Sequence, residues 1–233
     1  DGQGRKMSKS LGNVIDPNAE CDSRGADVMR LWVSSVDTST DVPCDDAILG
    51  HVGEAYRKIR NTLRFLLGEI EGQFDPATDA VALDELLPYD RLTLARMCEV
   101  HSVVTEAYRG YRFNVVYRNL YDYVTELSNG YLNATKDRVY CGQKDRVYCG
   151  QKDGADRRSA LTVWAQILSM LVHYLQPILC FTCDEVMAFL PESMRDGQKY
   201  AALLDWYQAP WTPEECKDEL AAYAELSVAR DAF

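Results

Sequence analysis

Tyr56-Arg57-Lys58-Ile59-Arg60-Asn61-Thr62-Leu63-Arg64-Phe65-Leu66-Leu67-Gly68 decides the fold. At about 100° per residue, Tyr56, Ile59, Leu63, Leu66 and Leu67 share one face with Ile70 beyond them, and Arg57, Arg60, Asn61 and Arg64 share the opposite face. One face must pack and the other must meet water or a partner. The same helical period covers 46–71 and returns at 89–109, 113–135 and 156–190. Gly72 with Pro76, Pro88 and Gly110 separate these segments, and no β-branched alternation is long enough for a sheet. The expectation is a mainly α chain built as a helical bundle. Pro177 should break the last segment, because its ring clashes with the preceding turn and it has no N–H to donate. Thr182 with Glu185 fits a capping box that would restart the helix there.

Outward from this bundle the pattern thins. The first twenty residues are rich in glycine and read as a loop. Val28, Leu31, Trp32 and Ser35 then fall at helical spacing between Asp27 and Val36. Thr38 to Pro43 returns to loop, which puts a boundary near residue 45. After Pro191 come a polar loop, the apolar Leu203, Leu204, Trp206 and Trp211, and an acidic tail over 214–233 that reads as a helix heading elsewhere. The expected organisation is 1–45, a helical domain over 46–205, and the start of a further region over 206–233.

The chain has 233 residues, 47% of them hydrophobic, enough to bury a sizeable core. Twenty-five Lys and Arg face 36 Asp and Glu, a formal net charge of -11 that argues against general DNA coating. Any nucleic-acid contact must therefore come from local basic patches. No apolar run approaches the roughly 20 residues a membrane span needs, and the polar start has no signal-peptide pattern, so a cytoplasmic protein without membrane or DNA partners is expected. The eight cysteines (Cys21, Cys44, Cys98, Cys141, Cys149, Cys180, Cys183 and Cys216) are too sparse for a disulfide scaffold and are read as thiols. Cys180 and Cys183 form a CxxC with no second ligand pair, which reads as two small apolar residues one helical turn apart; no bound metal is expected, and a zinc or redox pair is the rival reading. His51, His101 and His173 stand alone and read as core or surface histidines.

Lys136 to Gln143 is repeated at once as Lys144 to Gln151. Two octapeptides are too short and too few for a solenoid. A local duplication in a connection is the simpler reading, with one copy in the packing site and the other extended into solvent. Lys136, Arg138, Lys144, Arg146, Lys152, Arg157 and Arg158 also make a candidate secondary contact for a nucleic-acid backbone, although alternating aspartates favour a solvated loop.

The sharpest chemical signal is Lys6-Met7-Ser8-Lys9-Ser10, followed by Leu11-Gly12-Asn13. Two lysines three apart can converge on one polyanion, while small serines let the backbone approach a phosphate and donate N–H groups. A given five-residue string arises by chance in such a chain with a probability on the order of one in ten thousand. The polar face of the 46–71 helix is the second candidate. It is either a solvated surface or an all-positive stripe suited to RNA.

The pentapeptide resembles the KMSKS signature of class I aminoacyl-tRNA synthetases. Gly25 to Val33, Asp41 to Leu49, Tyr56 to Gly68 and Phe74-Asp75-Pro76 are similar to the isoleucyl family, with a valyl relative as the nearest rival. The resemblance implies that residues 1–45 end a Rossmann-type catalytic domain and that the bundle binds the anticodon of tRNA(Ile). It implies an ATP site over Lys6, Met7, Ser8, Lys9 and Ser10, with Mg2+ accompanying ATP and Lys9 assisting the transition state of adenylation. It also implies an anticodon contact at Arg60, to which the helix face adds Asn61 and Arg64. The family's HIGH motif, amino-acid pocket and editing domain have no counterpart in this sequence, so adenylation would need the remainder of the synthetase chain. A stand-alone helical protein-interaction module is the rival from another class.

Overall fold

The computed structural model describes residues 1–140 and 154–231, and among these it contains ten α-helices, short 3-10 turns and no strand. Two short helices, α1 (Pro17–Arg24) and α2 (Ala26–Ser35), precede the long α3 (Asp46–Ile70). A short α4 (Pro76–Asp79) leads to α5 (Pro88–Arg109), α6 (Phe113–Asn129), α7 (Tyr131–Tyr140), α8 (Ala155–Leu175), α9 (Cys180–Met187) and α10 (Lys217–Asp231).

The bundle is organised around α8, whose residues Ala160 to Ala165 are all buried. A helix apolar on nearly every side can be satisfied only by neighbours all round, and α3, α5, α7 and α9 supply them. Each fully buried large side chain in this cluster contributes about 1.5–3 kcal/mol relative to exposure. Ile59, Leu63, Leu66, Leu67 and Ile70 of α3 join the core as their spacing requires. Tyr56 packs against it half-buried, its hydroxyl 2.9 Å from that of Thr182.

Three elements differ from the sequence reading. The segment expected as one helix over 113–135 is two, divided at Gly130, whose φ of -107° and ψ of -91° leave the helical region. A side chain there would meet the Arg230 guanidinium and the Glu126 carbonyl at 3.0 and 3.1 Å, so the break is also a close approach. The helices on either side of Pro177 do separate, but Thr182 does not open the second one. It lies inside α9, and the carboxylate of Asp27 on α2 does the capping, accepting from the Thr182 N–H at 2.8 Å, its hydroxyl at 2.7 Å and the Phe181 N–H at 3.4 Å. Arg30, one turn further along α2, donates to the carbonyls of Pro177 and Ile178, both at 2.8 Å. An anion at one helix start and a cation at the neighbouring helix end both complement the backbone dipoles. Val28 and Leu31 enter the main core, so packing is continuous across residue 45.

The third difference is the acidic tail. Instead of heading elsewhere, α10 returns along α5, where Tyr223 is buried with its hydroxyl 2.5 Å from Glu126, and Glu219 pairs with Arg91 at 2.8 Å. Of the octapeptides, Lys136 to Tyr140 form the end of α7 with Val139 fully buried. The expected extended copy lies outside the described residues.

Candidate nucleotide and RNA interface

The lysine loop is built by its small polar residues. The Ser8 hydroxyl accepts the Leu11 N–H at 3.3 Å and so caps a 3-10 turn over Lys9–Leu11, which Gly12 closes in the left-handed region at φ 65°. The Ser8 N–H donates to the Asn13 side-chain oxygen at 2.9 Å, and the Asn13 amide donates to the Asp1 carboxylate at 2.9 Å. This corrects one detail of the sequence reading, because Ser8 uses its backbone N–H within the loop. Its hydroxyl lies 3.1 Å from that of Ser10. Lys6, Lys9 and Ser10 are exposed, while Met7 and Ser8 are half-buried. Downstream, Arg24 pairs with Glu20 of α1 at 2.7 Å and with Asp46 in the first turn of α3, which ties the segment after the loop to the long helix.

On α3 the polar face stands outward: Arg57, Asn61 and Arg64 are exposed and Arg60 is half-exposed. The face is not uniformly positive. Arg57 pairs with Glu54 one turn back, and Arg60 faces Glu185 of α9 at 3.5 Å. Arg60 and Arg64 line an open groove of about 370 Å³ between α3 and α9, with Glu71, Thr182, Glu185 and Phe189 among its other walls. Asn61 is not part of this groove. It turns towards α6 and α7, where it lines a separate groove with Lys58 and Lys136. The structure therefore brings Arg60 and Arg64 together and places Asn61 on the other flank. The sequence reading gave Glu185 only a capping role and missed its pairing with Arg60, because the two lie on different helices 125 residues apart.

Two residues of the basic cluster near the duplication, Arg138 and Arg157, are structural. The Arg138 guanidinium reaches the fully buried Asp90 at 2.6 Å, where the hydroxyls of Tyr131 and Ser159 also donate at 2.7 and 2.5 Å. Arg157 is buried and donates to the Val139 carbonyl at 3.2 Å. Lys144, Arg146 and Lys152 lie outside the described residues, as do Cys141 and Cys149. Cys180 and Cys183 sit one turn apart on α9, and burial pushes the Cys183 thiol well up. Among the described residues no group of three or more His, Cys, Asp and Glu side chains gathers as a metal site, and no helix is long and apolar enough to cross a membrane.

Residues 90–231 match the family described as anticodon-binding domain of tRNA ligase, and residues 1–45 match tRNA synthetases class I (I, L, M and V). The chain is 44% identical, over all of its length, to an isoleucine–tRNA ligase of Brevibacillus brevis. It is 45% identical over 94% of its length to that of Desulforudis audaxviator, and 46% identical over 82% to that of Symbiobacterium thermophilum. It spans 23%, 22% and 20% of those three relatives. These likenesses favour the isoleucyl over the valyl reading and do not favour a stand-alone interaction module. A solved ternary complex, LeuRS of Agrobacterium radiobacter K84 with tRNA and LeuAMS, shares the fold with a TM-score of 0.57 at 17% identity, over 94% of this chain and 23% of that one.

Proposed function

Because the chain belongs to the anticodon-binding domain family of tRNA ligases, joined to a class I synthetase stretch, we propose that it serves as the part of an isoleucine–tRNA ligase that carries the ATP loop and grips the tRNA. The remainder of the ligase chain supplies the amino-acid pocket. The partners this reading requires are ATP with Mg2+ and tRNA(Ile), in the cytoplasm. Toward the ATP phosphates this segment contributes Lys6 and Lys9, both exposed on a loop shaped by Ser8 and Gly12. As the amino-acid carboxylate attacks the α-phosphorus and pyrophosphate leaves, Lys9 neutralises the charge that develops on the phosphate oxygens, while Lys6 holds ATP or the loop. A donor aimed at such charge contributes about 3–4 kcal/mol, roughly 100- to 1000-fold in rate.

The observation that carries the RNA half is the outward pair Arg60 and Arg64, flanking an open groove on an otherwise acidic protein. Unpaired anticodon bases can stack on guanidinium planes and present their edges to polar groups, which suits a helical surface better than a duplex groove would. The test is binding of tRNA(Ile) across a salt series. Replacing Arg60 and Arg64 with Ala should weaken binding and flatten its salt dependence, and unchanged binding would reject the reading. For the loop, Lys9→Ala in the intact ligase should slow isoleucine-dependent pyrophosphate exchange far more than it weakens ATP affinity. A rate within about twofold of the parent would exclude that role.

A further inference from the structure

The flank of α3 that carries Asn61 holds a second groove, bounded by α6 and α7. Its volume is about 380 Å³, and Lys58, Asn61, Thr62, Phe65, Ser128, Leu132, Asn133 and Lys136 line it. No carboxylate lines this groove among the described residues. The grooves between α3 and α9 and between α5, α6 and α10 include Glu71 and Glu185 in the first, and Glu99, Asp122 and Glu126 in the second. On a chain of net charge -11 such a carboxylate-free pocket with two lysines is a local reversal of sign.

The lining is also chemically complete for a nucleotide. Leu132 is buried and Phe65 half-buried, which gives the base of the groove an apolar surface, while Asn61 and Asn133 are exposed. Side-chain amides carry a donor and an acceptor and can match the hydrogen-bonding edge of an unstacked base. Thr62 and Ser128 bring their hydroxyls within 3.0 Å of one another across the α3–α6 contact. The Lys136 ammonium is held at the rim by a 2.7 Å bond to Asn133, and that of Lys58 lies 5.6 Å from the Tyr121 ring centre. None of the ion pairs among the described residues involves either lysine.

We propose that this groove is a second nucleotide site, in which Lys58 and Lys136 hold a backbone phosphate and the Asn61 and Asn133 amides meet the edge of an unpaired base. The proposal rests on the RNA-binding reading above and adds a contact surface separate from the Arg60 and Arg64 groove. α3 then presents RNA contacts on both flanks.

The probe is the anticodon stem-loop of an isoleucine tRNA, transcribed as a hairpin and titrated with the chain over a salt series. Each phosphate neutralised in a single strand contributes about 0.7 to the slope of log affinity against log salt. Lys58→Gln with Lys136→Gln removes the hold on that one phosphate and should therefore reduce the slope by about 0.7. Lys58→Arg with Lys136→Arg should keep it, which separates charge from misfolding. Asn61→Ala should weaken binding with the slope unchanged, because a neutral amide displaces no counterion. If the glutamine pair leaves slope and affinity intact while Arg60→Ala with Arg64→Ala releases the hairpin, this groove is wrong and the first reading stands. Hairpin binding that responds neither to the glutamine pair nor to Arg60→Ala with Arg64→Ala overturns both readings, and a slope lost in Lys58→Arg with Lys136→Arg overturns the groove alone.

Discussion

Replacing Asp27 with Ala should be among the most damaging single changes in this chain, although the residue lies in a short helix before the bundle. The side chain is 5% exposed and accepts from the Thr182 N–H at 2.8 Å and its hydroxyl at 2.7 Å. A hydrogen bond to a charged group contributes about 1.5–3 kcal/mol, and leaving a buried donor unpaired forfeits its hydration as well. Part of the loss is recovered, because the Thr182 hydroxyl keeps the Tyr56 hydroxyl at 2.9 Å. The Thr182 N–H has no such alternative. The net cost is about 3–4 kcal/mol, and for a chain of this size about 2–4 °C of melting temperature per kcal/mol gives a fall of roughly 10 °C. Asp27→Asn keeps one acceptor oxygen and loses the charge, so about half that fall is expected. Thermal unfolding followed by circular dichroism, with urea titration for the free energy, measures both. Thr182→Val combined with Asp27→Ala completes a double-mutant cycle, in which the two losses should not add. A drop of less than about 2 °C for Asp27→Ala would refute the view that this carboxylate caps α9 and fastens α2 to the bundle.

Other outcomes follow from the same geometry. Tyr131→Phe removes a donor to the fully buried Asp90 and should cost about 1.5–3 kcal/mol in urea unfolding, with Ser159→Ala behaving alike because it serves the same carboxylate. Asp45→Ala deletes the side-chain oxygen that accepts the Ile48 N–H at 2.7 Å at the start of α3, and the melting temperature should fall by the 2–4 °C that a cap of about 1 kcal/mol implies. Burial first, and then the Arg109 charge, hold His101 below its ordinary value of 6.5. The folded state therefore binds fewer protons than the unfolded one around that pH. The histidine's contribution is whole above about pH 6.5 and is lost as the pH falls below it toward the depressed folded value. His101→Gln should flatten the stability profile between about pH 5 and 7, and an unchanged profile would count against a depressed value.

The periodic elements were readable because they depend on neighbours in sequence. Ile59, Leu63, Leu66 and Ile70 repeat at helical spacing and are buried together, and Pro177 ends a helix by removing a local hydrogen bond. The misreadings share one cause. Thr182 followed by Glu185 is a locally valid capping pattern, but the actual cap comes from Asp27, 155 residues away in sequence, and no window that short contains it. Gly130 sits in a segment whose flanks are both helical, and the close approach of Arg230, far along the chain, is visible in no local window. The acidic tail carries little amphipathic contrast, and Tyr223 finds its place through Glu126 rather than through a repeating stripe. For the site, the lysine loop was legible as an unusual string, whereas the division of α3 into two flanks was not. Arg60 and Asn61 are adjacent in sequence, and only the positions of α9 and α6 send them to different grooves.

That division also resolves how an acidic protein can offer RNA a hold. Counted in sequence, its basic residues look dispersed and outnumbered. Packing sorts them. Arg138 reaches Asp90, Arg96 reaches Glu126 at 3.0 Å, Arg30 holds the carbonyls of Pro177 and Ile178 between α8 and α9, and Arg91 holds α10, so these guanidiniums are committed to the scaffold. Arg64, Lys58 and Lys136 enter none of the ion pairs among the described residues, and Arg60 meets Glu185 only at 3.5 Å across an exposed rim. An exposed pair of that kind contributes at most about 1 kcal/mol, so a phosphate or base can displace it at little cost. Arg60, Arg64 and Lys58 all stand on one helix, α3, with Lys136 beside it, and Arg24 ties the N-terminal turn of α3 to the segment that follows the lysine loop. An RNA held along both flanks of α3, as proposed, would therefore sit on the same helix to which Arg24 ties the segment after the lysine loop.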